Sequence, residues 1–402
     1  MNYAQIKDFV KSGDIEIKTG PFGTQLKANE YTESGTPVLN VRNLGFGNVH
    51  TDKLEFVGAE TTDRLSMHLL RKGDLVFGRK GAVERHSYIT DREKGWMQGS
   101  DCIRIRVNTT SINSRFLSYF FLTKAHQAYM MSACSHGTTM ASLNQGILEQ
   151  IVFPLPTRKT QDKIVTMLSC IDDKIELNNR ISENLEQQAA SYYYHLFVEN
   201  ADPFWREGTI SDLGTVVGGS TPSKAKPEYY TDDGIAWITP KDLSVDKSKF
   251  ITHGADDITE LGLRNSSATI MPAGTVLFSS RAPIGYIAIA DGEVTTNQGF
   301  KSVVPYENIG TAFMYYFLKS ALPTIENMAS GSTFKEISGS TMRTVPAIIP
   351  DDDTLHKFSS FCEPLFQQQR ALEAENRKLT ELRTVLLPKL MSGELDVSDI
   401  AI

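Results

Sequence analysis

The 402-residue chain repeats itself once, with a period near half its length, and a repeat of that size restricts the fold to two copies of one architecture. Tyr31-Thr32-Glu33-Ser34-Gly35, followed by Val38-Leu39-Asn40-Val41-Arg42-Asn43-Leu44, corresponds to Tyr230-Thr231-Asp232-Asp233-Gly234, followed by Trp237-Ile238-Thr239-Pro240-Lys241-Asp242-Leu243. Each reads as a turn, a strand and a basic residue. Downstream, Gly73-Asp74-Leu75-Val76-Phe77-Gly78-Arg79-Lys80 matches Gly274-Thr275-Val276-Leu277-Phe278-Ser279-Ser280-Arg281, a buried strand ending in positive charge. Gln98-Gly99 then matches Gln298-Gly299. Aromatic helical segments from Phe116 to Leu122 and from Phe313 to Leu318 are followed by Gly137-Thr138-Thr139 and Gly331-Ser332-Thr333, and both halves close on proline, at Pro154-Leu155-Pro156 and Pro350.

After each closing proline the apolar period becomes helical. Ile164, Leu168, Ile171, Ile175, Asn178, Ser182, Leu185, Ala189, Tyr192 and Leu196 lie alternately four and three apart, the spacing of a heptad seam. Phe358, Leu365, Gln368, Leu372, Glu375, Leu379, Leu382, Leu386 and Lys389 give the second seam, with Asp351 to Thr354 placed to cap its start and Pro388 expected to end or kink it. The expected fold is mixed α/β: two homologous globular domains separated by two long antiparallel helices in a pseudo-two-fold repeat. The boundaries predicted are domains at 1–156 and 201–350, long helices at 157–200 and 351–392, and a tail at 393–402.

Composition narrows the class. A hydrophobic fraction of 40% with 22% charged residues is that of an ordered globular protein. No stretch approaches the roughly 20 apolar residues that cross a bilayer, and the start lacks a secretory apolar core. The four cysteines, Cys102, Cys134, Cys170 and Cys362, are far apart and form no Cys-x-x-Cys pair, which suggests neither a disulfide framework nor a thiolate zinc site and fits the cytoplasm. A formal net charge of -7 argues against indiscriminate polyanion binding, so a nucleic-acid reader would need local basic patches. Arg64 to Arg106 is one candidate, where ten cationic residues meet five acidic ones.

With this order of domain, helix, domain, helix, particular local phrases occur: Gly20-Pro21-Phe22-Gly23-Thr24-Gln25-Leu26, Gly218-Gly219-Ser220-Thr221-Pro222-Ser223, the two Gly-Ser/Thr turns, and the terminal Leu387-Pro388-Lys389-Leu390-Met391-Ser392-Gly393-Glu394-Leu395. In this arrangement, over essentially the whole chain, the sequence resembles the specificity subunits of type I restriction-modification systems. The resemblance implies that each globular half is a target recognition domain reading one part of a split, asymmetric double-stranded DNA sequence. It also implies that the helices dock two methyltransferase subunits, with endonuclease/translocase subunits completing the complex. S-adenosylmethionine, ATP and Mg would belong to those partners and no cofactor to this chain. A helix from Ile164 to Phe197 would be about 50 Å long, enough to separate reading heads that need about 34 to 36 Å per DNA turn. One departure is Glu84, which stands opposite Gly285 of the second copy and sits badly against phosphate.

Residue chemistry gives the candidate contacts. Lys27, Arg42, Arg79, Lys80, Arg85, Lys224, Lys241, Arg281 and Lys335 suit phosphate or guanine. Gln98, Asn297 and Gln298 carry the paired donor and acceptor that adenine presents. Thr24, Thr138, Thr139, Ser220, Thr221, Ser332 and Thr333 could bind phosphate or base edges. Ile164, Leu168, Ile171, Ile175, Leu185, Leu372, Leu379, Leu382 and Leu386 are the candidate partner-docking residues. No phosphate-binding loop, dinucleotide loop, amino-methyltransferase Asn-Pro-Pro-aromatic motif, His-Glu-x-x-His or catalytic triad stands out, so no catalytic or metal site is expected. Asp14-Ile15-Glu16-Ile17-Lys18 faintly resembles a nuclease Glu-x-Lys but lacks the converging carboxylates that a two-metal site wants. The rival reading is a non-catalytic scaffold whose two domains bind protein or small ligands, which the acidic net charge favours modestly.

Overall fold

The computed structural model describes residues 2–21, 23, 25–134, 141–331, 335–397 and 400. By its contacts the chain divides into unit 1, Met1–Lys174 with Leu379–Ile402, and unit 2, Ile175–Lys378. Each unit therefore keeps a portion of both long helices, and the helices are not bodies apart from the domains.

Unit 1 is built on a five-stranded sheet in the order Ile15–Thr19, Cys102–Val107, Leu75–Gly78, His86–Tyr88, Phe46–Gly47. Beside it lies a four-stranded sheet, Tyr31–Thr32, Glu55–Val57, Thr36–Leu39, Met97–Gln98, and the strand Tyr3–Gln5 pairs with Val152–Pro154. Leu75–Gly78 is buried throughout, which is why it reads as an unbroken apolar run. Cys102–Val107 alternates: Ile103 and Ile105 enter the core with Phe77, Leu117 and Phe121, while Arg104 and Arg106 turn to the other face. There Arg106 holds Asp74 through two 2.7 Å hydrogen bonds, and Arg104 lies 3.1 Å from Glu16. The stretch from Arg64 to Arg106 is accordingly not one cationic face. Glu16, part of the nuclease-like triplet, is occupied as the counter-ion of a buried arginine.

Unit 2 repeats this topology strand for strand. Its five-stranded sheet runs Gly214–Gly218, Lys301–Pro305, Val276–Ser280, Ile284–Ala290, Phe250–Ile251, and its four-stranded sheet Tyr230–Thr231, Asp256–Ile258, Ile235–Ile238, Thr295–Thr296. Arg206–Thr209 pairs with Pro346–Ile349, as Tyr3–Gln5 does with Val152–Pro154.

The long helices are Arg158–Tyr194, of 37 residues, and Asp352–Ser392, of 41. They run antiparallel in both units. In unit 1, Ile164 and Leu168 meet Leu387, Leu390 and Met391 under Phe116 and Tyr119. In unit 2, Ala189 and Tyr193 meet Leu355, Phe358, Cys362 and Phe366 under Phe313 and Tyr316. Asn178 is a buried polar seam position, donating to Glu375 at 2.7 Å and Asn376 at 2.9 Å. Three expectations need correction. The second seam is displaced by one residue, because Phe366, Gln369, Leu387 and Leu390 are buried while Gln368 and Lys389 are exposed. Leucines drew the expected stripe, but Gln369 can face inward because it donates to the Ser182 carbonyl at 3.0 Å. Of the two outcomes expected at Pro388, an end or a kink, the end does not occur: the helix continues to Ser392 with Leu387, Leu390 and Met391 packed. Finally, Ile164, Leu168, Ile171 and Leu185 are at most 9% exposed, so they hold this chain's own helices and offer no surface to a partner. Ile175, Leu372, Leu379 and Leu386 are half-buried, and Leu382 is exposed.

Candidate nucleic-acid interface

At one end of the five-stranded sheet of unit 1, five segments are stitched together by backbone hydrogen bonds. Gly20 donates to the Cys102 carbonyl (2.8 Å), Gly99 to Leu39 (3.0 Å), Arg79 to Asp101 (2.8 Å) and Leu143 to Arg79 (2.8 Å). The turns that follow the strands ending at Thr19, Leu39, Gly78 and Gln98 therefore converge with the segment around Leu143. Gly20 is required for this: a Cβ there would lie 1.9 Å from the Gly99 carbonyl oxygen.

Unit 2 makes a like knot, with three corresponding bonds and one of its own from Ser220. Ser220 donates to Thr296 (2.8 Å), Asn297 to Ile238 (3.0 Å), Ser280 to Gly299 (2.7 Å) and Ile337 to Ser280 (3.1 Å). Gly219 takes the part of Gly20, a Cβ there reaching 2.0 Å from the Asn297 carbonyl oxygen. These bonds pair Gly99 with Asn297 and Asp101 with Gly299, so the correspondence of Gln98-Gly99 with Gln298-Gly299 is wrong by two residues. Gln98 instead stands where unit 2 has Thr296. It is fully buried and donates to the carbonyls of Lys18 (2.9 Å) and Cys102 (3.1 Å), which removes it from any base-reading role.

The remaining candidates are placed variously. Lys27, Lys80, Lys224, Lys241 and Lys335 are exposed. Arg42 is paired with Glu55 at 2.5 Å, and Arg85 lies 3.7 Å from Glu84 and 5.5 Å from the Phe46 ring centroid. Arg79 is half-buried, its backbone tied on both sides as described. Asn297 turns its side-chain oxygen to the Gly299 amide (2.8 Å), bracing the turn, whereas Gln298 is exposed and its Oε1 accepts from the Thr221 hydroxyl. Ser220 is half-buried and its carbonyl accepts from the Trp237 indole at 3.0 Å. Thr24, Thr138, Thr139, Ser332 and Thr333 lie outside the described residues. His86, in the basic stretch, is fully buried against Phe77 and 2.8 Å from the Ser118 hydroxyl, and burial pushes its pKa down to about 3, so it makes no DNA contact.

Sequence reasoning missed Glu336 and Lys301. Glu336 lies 3.5 Å from Arg281 and 3.8 Å from Lys301, and Lys301 also reaches the Gln298 carbonyl (3.3 Å) and the Ser280 hydroxyl (3.5 Å). Burial pulls the Lys301 ammonium below its ordinary range against the opposing pull of Glu336. The only sequence sign of this cluster is the ending of the Val276–Ser280 strand in Arg281. Chemically, each knot presents cations and, in unit 2, the hydroxyls of Ser220 and Thr221 and an exposed amide on turns braced by backbone bonds. That suits recognition of a polyanion and base edges. Among the described residues no group of His, Cys, Asp or Glu could hold a metal ion.

The sequence profile of the type I restriction modification DNA specificity domain matches residues 6–187 and again 204–382. The type I restriction enzyme MjaIX specificity subunit of Methanocaldococcus jannaschii is 40% identical over 158 residues, 39% of this chain and 36% of that protein. The chain thus spans about a third of that relative. The type I restriction enzyme HindI specificity subunit of Haemophilus influenzae is 23% identical, with 81% of this chain matched to 87% of that one. The crystal structure of a type I restriction-modification S subunit from M. genitalium superposes with a TM-score of 0.60 at 18% identity, covering 97% of this chain and 96% of that one, which establishes a shared fold.

Proposed function

We propose, from the premise that this chain belongs to the type I restriction modification DNA specificity family, that it is the subunit that reads a two-part, asymmetric DNA target for such a complex. The observation that carries the proposal is the twice-built knot of turns, one per family domain, whose braced backbones present different side chains in the two units. A knot of the same topology with different exposed residues reads a different sequence, so the target is asymmetric. The long helices dock two methyltransferase subunits and set the unread spacer. Methyl transfer and cleavage, with S-adenosylmethionine, ATP and Mg, belong to the methyltransferase and restriction subunits, and this chain is non-catalytic. No helix among the described residues is long and apolar enough to cross a membrane, and the complex is proposed to act in the cytoplasm.

The test is salt-dependent binding of the chain, with and without its methyltransferase partner, to random-sequence and selected duplexes. Selection should return one bipartite motif. Absence of salt-sensitive DNA binding in both cases would reject the proposal in favour of a protein scaffold.

A further inference from the structure

In unit 2 the turn from Asn297 to Phe300 is tied from every side. Its amides reach Ile238 and its own Asn297, its carbonyls accept from Ser280 and Lys301, and the preceding Thr296 carbonyl accepts from Ser220. Gly219 packs so closely that no side chain fits between. At the apex of this turn stands Gln298, the one amide candidate whose side chain is exposed, with its Oε1 held by the Thr221 hydroxyl. Unit 1 has Ser100 at the corresponding place and turns Gln98 inward.

An amide whose oxygen is held by a hydroxyl has a fixed orientation. Its two N–H groups point away from that hydroxyl, and the oxygen keeps a second lone pair. A donor beside an acceptor, held in one plane, matches the N7 acceptor and N6 donor on the major-groove edge of adenine. Orientation fixed before binding is worth more than the same group on a mobile stem. We propose that Gln298 reads one adenine in the half-site of unit 2, and that Thr221 is the positioning residue that orients its amide. This rests on the DNA-reading function proposed above.

The test uses the complex of this chain with its methyltransferase subunits. Target motifs are mapped by modification-sensitive sequencing, and affinities are measured on duplexes varied one base pair at a time. Gln298→Ala should lower discrimination at a single base pair of one half-site by roughly 10- to 100-fold and leave the other half-site unchanged. Thr221→Val should relax the same base pair by a smaller factor, and Thr221→Ser should restore it, which a merely structural role for the hydroxyl would not confine to one position. An unchanged motif in Gln298→Ala, or an equal loss at every position, would overturn the assignment while leaving the DNA-reading function intact. Failure of the unaltered complex to select any bipartite motif would overturn that function, and the assignment with it.

Discussion

Lys249 offers the sharpest test of how a recognition domain is fixed to its helices. It is 7% exposed in unit 2, with Nζ 2.5 Å from Glu186 of the first long helix, 2.9 Å from Gln369 of the second and 3.9 Å from the Phe366 ring centroid. Its own amide and that of Phe250 donate to Glu373 at 2.8 and 3.0 Å. Replacing Lys249 by Met keeps the stem but leaves Glu186 without its nearest cation. Removing one partner of a buried pair costs about 3–5 kcal/mol, and because Lys319 still reaches Glu186 at 2.7 Å, the lower figure applies, about 3 kcal/mol. For a unit of this size that is a fall in Tm of about 6–12 °C. The pH dependence follows from Glu186. Burial would raise its pKa, but Lys249 first and Lys319 after it hold the carboxyl below the ordinary range. In the unaltered protein this stability is present above the unfolded value near 4.5 and is lost as the pH falls through the lower folded value. In the variant burial meets less opposition, the folded pKa rises, and protonation relieves the strain. The deficit should therefore be greatest at neutral pH and shrink toward about pH 5. Thermal unfolding followed by circular dichroism at both pH values measures it. A Tm loss below about 2 °C, or a loss that grows on acidification, would refute this account of the anchor.

Three other perturbations have definite outcomes. Glu336→Gln releases Arg281 and Lys301, so DNA affinity should rise and the log–log salt slope steepen by up to about 1.8 for two new phosphate contacts; filter binding with an unchanged slope would count against it. Gly219→Ala forces a Cβ to within 2.0 Å of the Asn297 carbonyl, and displacing the turn at a cost of about 1–3 kcal/mol should degrade reading of the unit 2 half-site alone. Retention of the full motif on motif mapping would show that the knot does not position the reader. Leu382→Asp with Val385→Asp changes two residues that are 47% and 56% exposed, so unfolding should be nearly unaltered while methyltransferase association weakens by about 5-fold or more, as read by calorimetric titration. Undiminished association would place the docking surface elsewhere.

The repeat was legible because it is carried by apolar strands, whose side chains must pack in the same places in both copies. Leu75-Val76-Phe77 and Val276-Leu277-Phe278 aligned correctly and occupy the same strand of the same sheet. The first helical seam was legible for the same reason, from Ile164 to Ala189. What failed was decided by polar partners far away in sequence. Gln98 matched Gln298 by identity, yet backbone bonds set the correspondence two residues away, and the one amide is inside while the other is outside. Gln369 rather than Gln368 faces inward because a buried amide there has the Ser182 carbonyl to meet, which apolar periodicity does not register. Arg104 and Arg106 looked like surface charge until Asp74 and Glu16 were brought beneath them by neighbouring strands.

The cations of the basic stretch are largely engaged: Arg104 and Arg106 inward, Arg64 with Glu30, and Lys72 with Asp91 at 2.5 Å. In unit 2, Arg281 and Lys301 share Glu336. The exposed lysines among the site candidates are Lys27, Lys80, Lys224, Lys241 and Lys335. If these five alone met phosphates, the salt slope would be about -4.5, short of proteins that make 6–10 phosphate contacts. With a net charge of -7 adding long-range repulsion, the chain alone is suited to discriminate between sequences and poorly suited to hold one tightly. If the proposed methyltransferase subunits supply the backbone grip, the salt dependence of the assembled complex should be steeper than that of the chain by itself.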